Sequence, residues 1–276
     1  MSRVTARRPV VRIREGVVTE RPDTLVAEEP MEIRVDGRPL TVTMRTPGDD
    51  FDLAVGFLVS EGVVHATEHV VAARYCAGAG DDGTNTYNVV DVQLDPAVPA
   101  PSASLERSFY TNSSCGICGK ASLDAVRTSA TWSVAADPLR VGPEVLVELP
   151  TRLRAAQQVF DRTGGLHAAG LFSADGELLV VREDVGRHNA VDKVVGHALR
   201  SGLLPLRSTI LVVSGRASFE LVQKAVMAGI PMLAAVSAPS SLAAELADEH
   251  GLTLVGFLRG ASMNVYAGAE RLELDG

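Results

Sequence analysis

The chain has 276 residues, of which 46% are apolar, so it can bury a sizeable core and is not a disordered chain. Its 26 basic and 34 acidic residues give a net charge of −8, which argues against nucleic acid as the main partner, because phosphate contacts need a basic surface. No apolar run reaches the roughly 18 residues of a membrane span, and residues 1–16 lack the apolar segment of a secretory signal. We therefore expect a cytoplasmic protein with no membrane partner and reduced thiols.

The pattern between residues 28 and 135 is β-rich, and it follows a segment over 1–27 that we predict to be a flexible tail. Alternating apolar and polar residues flank Asp36-Gly37, which is typical of a β-hairpin. Residues 51–59 then follow helical spacing, and residues 87–94 alternate as a strand does. We predict that 28–135 forms an N-terminal domain that ends in a CxxC loop and the helix after it.

Residues 136–276 predict a second domain of α/β class, so the chain as a whole is α/β (α+β overall). Buried β-branched runs alternate with helical patterns there, which indicates a partly parallel sheet with helices on its faces. The predicted elements are a helix around 153–160, a hairpin over 167–181, a helix over 189–200, strands over 209–213, 230–237 and 252–257, and helices over 219–228 and 241–249.

The strongest chemical signal is Cys115-Gly116-Ile117-Cys118. Two cysteines at this spacing suit a redox pair, half of a zinc site, or a sulfur carrier with a second thiol. Lys120 and the start of a helix would both favour the thiolate, which is the nucleophilic form. A zinc finger would need further ligands, and neither Cys76 nor the pair formed by His65 and His69 has the required spacing. We predict Cys115 and Cys118 as catalytic residues and no metal site.

Three turns that each directly follow a predicted strand, here called strand exits, predict a ligand that carries phosphate. In open α/β sheets, ligands bind at the carboxyl ends of strands, where helix N-termini hold anions. The exits are Ser214-Gly215-Arg216, the turn at 237–241, and 258–262, which includes Arg259. None matches a Walker A or GxGxxG motif, so the expectation rests on three such turns at one sheet edge.

Two further clusters contain candidate polar groups. His167 follows Gly164-Gly165 at the start of a predicted strand, where a satisfied core histidine is an equally good interpretation. Residues 183–189 form a charged turn before a helix, with Arg187 and His188 in it. The Asp192-Lys193 pair that follows is compatible with an ordinary solvated helix face, but the density of functional groups favours a site.

Together these motifs resemble the formate dehydrogenase accessory sulfurtransferases, the FdhD family. The resemblance covers residues from about 28 to 266, nearly the whole chain, and its motifs are specific only when taken jointly. They are residues 113–119, 163–167, 184–189, 214–220 and 257–262.

The resemblance implies a cytosolic homodimeric sulfur carrier whose C-terminal domain has a three-layer, cytidine-deaminase-like fold. In that family a cysteine desulfurase loads a persulfide onto the CxxC loop, and the sulfur passes to the molybdenum of bis(molybdopterin guanine dinucleotide) before its insertion into formate dehydrogenase. By position, Cys115 would carry the persulfide and Cys118 would be its neighbour. The residues expected to bind the cofactor, or GDP or GMP as its mimics, are Phe257, Leu258, Arg259, Gly260, Ala261, Ser262, Ser214, Gly215, Arg216, His167, Arg187 and His188.

Other functions stay open at this point. The main alternative is a chaperone that binds the molybdenum cofactor and whose CxxC is structural or binds zinc. A true zinc deaminase would need H-x-E followed by P-C-x-x-C, and His167-Ala168-Ala169 lacks that glutamate. A dithiol reductase is a third possibility, although its CxxC would be expected directly after a strand.

Overall fold

The structure is a computed structural model that describes residues 4–76, 87–101 and 130–274. In these ranges the chain forms three sheets and six α-helices, a mixed α/β fold as predicted. No helix in the described ranges is long and apolar enough to span a membrane. The elements are β1 (Thr5–Arg14), β2 (Val17–Val26), β3 (Glu29–Val35), β4 (Arg38–Arg45), α1 (Asp50–Ser60), β5 (Val70–Tyr75), β6 (Val89–Leu94), α2 (Pro143–Ala156), α3 (Gln158–Thr163), β7 (His167–Ser173), β8 (Leu178–Asp184), α4 (Arg187–Arg200), β9 (Thr209–Val213), α5 (Phe219–Met227), β10 (Met232–Ala235), α6 (Ser241–His250), β11 (Thr253–Arg259) and β12 (Ser262–Ala267).

The N-terminal segment differs from the predicted tail. β1 and β2 pair as an antiparallel hairpin, in register from Thr5 opposite Val26 to Arg14 opposite Val17. Glu15 and Gly16 both have positive φ, of 50° and 80°, which is the conformation of a type I′ hairpin turn. Its strands carry prolines and many charged residues and do not show a clean apolar alternation, so the sequence pattern did not reveal them.

A four-stranded sheet in the order β4-β3-β6-β5 follows, and α1 packs against it. The β3–β4 hairpin turns at Asp36 and Gly37, whose φ angles of 49° and 78° confirm the predicted tight turn. The Asp91 carboxylate accepts the Gly37 N–H at 2.8 Å and so fixes this turn to β6.

The larger sheet has the order β12-β11-β10-β9-β7-β8. β9, β10 and β11 are parallel, whereas β7, β8 and β12 run antiparallel to their neighbours. Apolar side chains of α4, α5 and α6 cover one face, and those of α2 cover the other. This is the three-layer arrangement that the alternating pattern predicts.

Two of the differences between predicted and observed boundaries change how the elements are connected. The helix expected around 153–160 is divided at Gln157, because the Glu183 carboxylate accepts the N–H groups of Val159 and Phe160 at 2.9 and 2.8 Å and thereby caps a separate α3. The strand expected to end at Phe257 continues to Arg259 and turns back into β12, which the sequence analysis did not anticipate.

The two halves of the chain share one core. A single cluster of buried apolar side chains extends from Met31 in β3 to Ala267 in β12. At its centre α1 and α4 cross with their backbones in direct contact: a Cβ built on Gly56 would lie 2.7 Å from the Gly196 nitrogen. Only glycine allows this approach. The contact places the N-terminal sheet firmly on the helix that carries Arg187 and His188.

Candidate functional site at the sheet edge

The predicted strand exits do converge at one edge of the large sheet. Backbone hydrogen bonds join the residues that follow neighbouring strands. The Ser237 N–H donates to the Gly215 carbonyl at 3.3 Å, and the Phe257 N–H donates to the Ser237 carbonyl at 3.1 Å. Because β7 is antiparallel to β9, its first residue, His167, begins at the same edge. The C-terminus of β8 and the N-terminus of α4 complete the row.

Ser214 and His167 are held together by the junction of β7 and β9. The Ser214 hydroxyl accepts the Ala168 N–H at 2.9 Å, and the Ser214 N–H donates to the Ala168 carbonyl at 3.0 Å. The His167 ring lies over Gly215, where a Cβ would be 3.3 Å from Nδ1. Burial, reinforced by the charge of Arg187, lowers the pKa of His167, so the ring is neutral near pH 7.

The turn that presents Arg187 and His188 is fixed by the buried Asp184 carboxylate. Asp184 accepts the Gly186 N–H at 2.8 Å and pairs with the Lys193 ammonium, also at 2.8 Å. It also accepts the Thr46 N–H at 3.1 Å. Thr46 belongs to the N-terminal half, so that half fixes the geometry of the site although it contributes no strand to the large sheet.

His188 faces α5 across the edge. Its Nε2 lies 3.2 Å from the Ser218 hydroxyl and 3.8 Å from a Glu220 carboxylate oxygen. Burial, followed by the charges of Lys224 and Arg187, lowers the pKa of His188 to about 4. His188 is therefore an uncharged hydrogen-bonding group at neutral pH.

A buried ion pair lies close enough to His188 for its lysine to affect the His188 pKa. The Lys224 ammonium lies 2.8 Å from the Asp192 carboxylate, which also accepts a 2.6 Å hydrogen bond from the Ser60 hydroxyl. Asp192 and Lys193 are only 2% and 1% exposed, so the solvated helix face considered for this pair is wrong. Asp192 meets Lys224 and Ser60, and Lys193 donates to the Thr46 carbonyl at 2.9 Å. These partners are far away in sequence, which no local pattern reveals. Ser60, Thr46 and Lys224 likewise lie in no motif that pointed to them.

The cationic side chains at the edge differ in their surroundings. Arg216 and Arg259 are exposed, whereas the Arg187 Nε is buried and has no hydrogen-bond partner in the described part of the chain. The Arg259 guanidinium stands 5.6 Å from the centre of the Phe257 ring. Arg187 at the N-terminus of α4, Arg216 just before α5 and the exposed Arg259 give this edge local positive potential on an acidic protein.

The predicted 257–262 stretch is a hairpin tip, and its residues are not equally accessible. The Leu258 side chain is 0% exposed and packs in the core behind the sheet, so it cannot contact a ligand. Gly260 turns with a φ of 55°, and the Ser262 hydroxyl donates to the Arg259 carbonyl at 3.1 Å. Arg259, Gly260, Ala261 and Ser262 are exposed.

The two predicted catalytic residues, Cys115 and Cys118, lie outside the described residues, as does the start of the helix predicted after them. Cys76 lies at the end of β5, half-buried, and its N–H donates to the Val89 carbonyl at 2.9 Å. It is not part of the sheet edge.

This fold and this edge define a class: an α/β protein whose strand ends, helix N-termini and arginines can receive an anionic ligand. The comparison with protein families is more specific. The model of the FdhD/NarQ family matches residues 26–273, and the chain belongs to this family, which confirms the resemblance found in its motifs.

Individual relatives match over almost their full length. A protein from Streptomyces avermitilis, named sulfur carrier protein FdhD, is 70% identical over 99% of this chain and 98% of its own. A protein of the same name from Mycolicibacterium paratuberculosis is 62% identical over 98% of this chain and 99% of its own. A crystal structure described as that of a formate dehydrogenase accessory protein from Desulfotalea psychrophila superposes with a TM-score of 0.76 at 25% identity, covering 98% of this chain and 100% of that one.

Proposed function

We propose that this chain is a sulfur carrier in the maturation of formate dehydrogenase. The observation that carries the proposal is the near full-length match, at 70% and 62% identity, to relatives named as sulfur carriers. The CxxC motif supplies the thiols, and the arginine-bearing sheet edge suits a cofactor with several phosphates.

In the loading step, the Cys115 thiolate attacks the outer sulfur of a persulfide on a cysteine desulfurase. A new S–S bond forms at Cys115, the donor's S–S bond breaks, and the donor cysteine leaves as a thiolate. This exchange involves no net oxidation. It requires an accessible thiolate, which Lys120 and the predicted helix after the motif would favour.

In the delivery step, the molybdenum of the cofactor is the substrate. The Cys118 thiolate attacks the sulfur of Cys115 and expels the outer sulfur as hydrosulfide, so the two cysteines are oxidised to a disulfide while the sulfane sulfur is reduced. With one proton, the hydrosulfide replaces an oxo group on molybdenum, and water is released. A dithiol reductant of the cytosol then restores the two thiols.

The sheet edge would hold the guanine dinucleotide part of this cargo. Arg216, Arg259 and Arg187 offer charge to its phosphates, and the neutral His188 and Ser218 offer hydrogen bonds without adding charge. GDP or GMP should therefore bind as a partial mimic of the cofactor.

The carrier step is tested by intact-protein mass spectrometry after incubation with a cysteine desulfurase and cysteine. We expect one added sulfur atom, removed by reductant and abolished by Cys115→Ala, while Cys76→Ala serves as the matched control and retains it. Cys118→Ala should keep the adduct but fail to release it. If no form gains sulfur while the desulfurase is active, the carrier proposal fails. The protein would then be a cofactor-binding chaperone whose CxxC is structural or binds zinc, which metal analysis decides.

A further inference from the structure

His188, Ser218 and Glu220 form a polar group at the sheet edge in which the protons can be assigned from the hydrogen bonds. The Ser218 hydroxyl has one proton to donate, and the Glu220 carboxylate accepts it. The Ser218 oxygen can then only accept, so its 3.2 Å contact with the His188 Nε2 requires a proton on that ring nitrogen. The neutral His188 ring therefore has its proton on Nε2, and Nδ1 is the atom that can take up a second one.

The two helices that begin at this edge have no side-chain cap in the described part of the chain. Ser218 is the N-cap residue of α5, but its hydroxyl is turned towards His188 and makes no capping hydrogen bond. Gly186 is the N-cap residue of α4, and the first turn of that helix contains no acidic residue. The positive ends of both helices add to the charges of Arg187 and Arg216. A ligand with phosphates supplies the negative charge that this arrangement favours.

The charged groups around His188 oppose a proton on its ring in the free protein. Those that face it directly are the cations Lys224 and Arg187, the neutral His167 and the carboxylate of Glu220. Behind them, the Asp192 and Glu61 carboxylates face Lys224, and Asp184 pairs with Lys193. Burial and the two cations outweigh the single facing carboxylate, so the pKa of His188 is low and the ring is neutral.

A bound phosphate reverses this balance. Its negative charge beside Arg187 offsets the field of one cation that opposes protonation. The Glu220 carboxylate, 3.8 Å from the His188 Nε2, is already in place to stabilise an imidazolium ring. Protonation also gives the ring a second N–H donor, and phosphate oxygens accept hydrogen bonds, most strongly from charged donors. His188 can therefore offer the ligand a charge-assisted hydrogen bond once it has gained a proton.

His167, the other histidine at this edge, has different surroundings. Its ring lies over the Gly215 backbone. Within the described ranges, the one carboxylate that favours a proton on it is Asp184, which already pairs with the Lys193 ammonium. A bound phosphate therefore favours protonation of His188 over protonation of His167.

We propose that a ligand with phosphates binds at this edge together with one proton, which His188 takes up at Nδ1. The proton comes from the solvent, and no other bond forms or breaks. His188 is thus neutral in the free protein and a cationic hydrogen-bond donor in the complex, so it favours a guanine nucleotide over the uncharged nucleoside. This inference rests on the proposed function, in which the sheet edge holds the phosphates of the cargo, and it adds the state that the neutral ring reaches once those phosphates are bound.

Isothermal titration calorimetry in buffers of different ionisation enthalpy measures the protons taken up on binding. The probe is GDP-mannose, whose esterified diphosphate lacks the second phosphate ionisation at about pH 6, so the ligand itself does not titrate in this range. If the pKa of His188 returns from about 4 to its ordinary value of 6.5 in the complex, each chain takes up about 0.75 proton at pH 6. The dissociation constant then rises about tenfold between pH 5.5 and pH 7.5. Guanosine, which has no phosphate, should bind without proton uptake.

Three variants assign the proton. His188→Gln should abolish the uptake, because an amide does not take up a proton in this pH range, and Glu220→Gln should reduce it, because the imidazolium ring loses its counter-charge. His69→Gln is the matched control and should retain the uptake. His69 lies in a short turn with Thr67, whose hydroxyl donates to the Leu199 carbonyl at 2.7 Å, at the opposite end of α4 from His188.

Nuclear magnetic resonance of protein with ¹³C-labelled histidine gives a second measurement that does not depend on the folding of a variant. The pKa of His188 in the unsubstituted protein should rise when GDP-mannose is added. Binding without proton uptake, uptake that persists in His188→Gln, or uptake that only His167→Gln removes would each overturn the inference. If GDP-mannose does not bind at all, the proposed ligand site fails and this inference fails with it, whereas the sulfur-loading assay judges the carrier step separately.

Discussion

Replacing Gly196 by alanine tests whether the contact between α1 and α4 organises the molecule. In an ordinary helix this change stabilises by about 1 kcal/mol, because glycine is a poor helix former. Here the new Cβ would lie 2.8 Å from the Gly56 nitrogen and closer still to the Asp52 carbonyl oxygen. Both atoms belong to the backbone of α1, so no side chain can rotate away. The clash therefore predicts destabilisation.

The size of the effect follows from the displacement that the clash demands. Ordinary contact requires α1 to move away by on the order of 1 Å, which opens the shared core along the whole helix. Overpacking of this kind costs about 3 kcal/mol, and the gain in helix propensity offsets about 1 kcal/mol of it. We expect the free energy of unfolding to fall by about 2 kcal/mol.

Urea unfolding followed by far-UV circular dichroism measures this change, with Trp132 fluorescence as a second probe of two-state behaviour. Gly56→Ala and the double variant are the controls. Either substitution already separates the helices, so the double variant should lose less than the sum of the two. A Gly196→Ala protein that is as stable as the parent, or more so, would show that the backbone contact does not limit the packing.

Three further outcomes are expected. Lys224→Met should cost about 3–5 kcal/mol in urea unfolding, because it leaves the buried Asp192 carboxylate unpaired, and adding Asp192→Asn should restore part of the loss. The pKa of His188 is about 4 in the folded protein against 6.5 for a free histidine, so the unfolded chain takes up the proton first as the pH falls. The free energy of unfolding should therefore decrease between pH 6.5 and pH 4, and His188→Gln should reduce this decrease. An unchanged pH dependence in His188→Gln would mean that other groups cause it. Arg216→Ala should raise the dissociation constant of GDP, measured by isothermal titration calorimetry, about fivefold to tenfold, whereas Arg207→Ala should leave it unchanged. Equal effects of the two substitutions would show that Arg216 does not contact the ligand.

Local signals in the sequence predicted much of the fold. Asp36-Gly37 defined its hairpin because a type I′ turn needs positive φ at both positions. The alternation of β-branched runs and helices placed the strand exits, and parallel topology alone then brings Ser214 and Ser237 to one edge. The β1–β2 hairpin was not predicted because Pro9, Pro22 and the charged residues of its strands hide their apolar alternation.

What the sequence by itself determined is the chemistry available: two thiols three residues apart, arginines and small polar residues at strand ends, and the motifs of the FdhD/NarQ family. Only the tertiary structure decided which charged groups are buried and what they support. Asp192 pairs with Lys224 because the packing of α4 on α5 brings them together, and Asp184 reaches Lys193 across the turn from β8 into α4. Burial, a property of the assembled core, makes His188 neutral. Periodicity reports which face of a helix is apolar, but it contains no information on the distant residue that will meet a charge there.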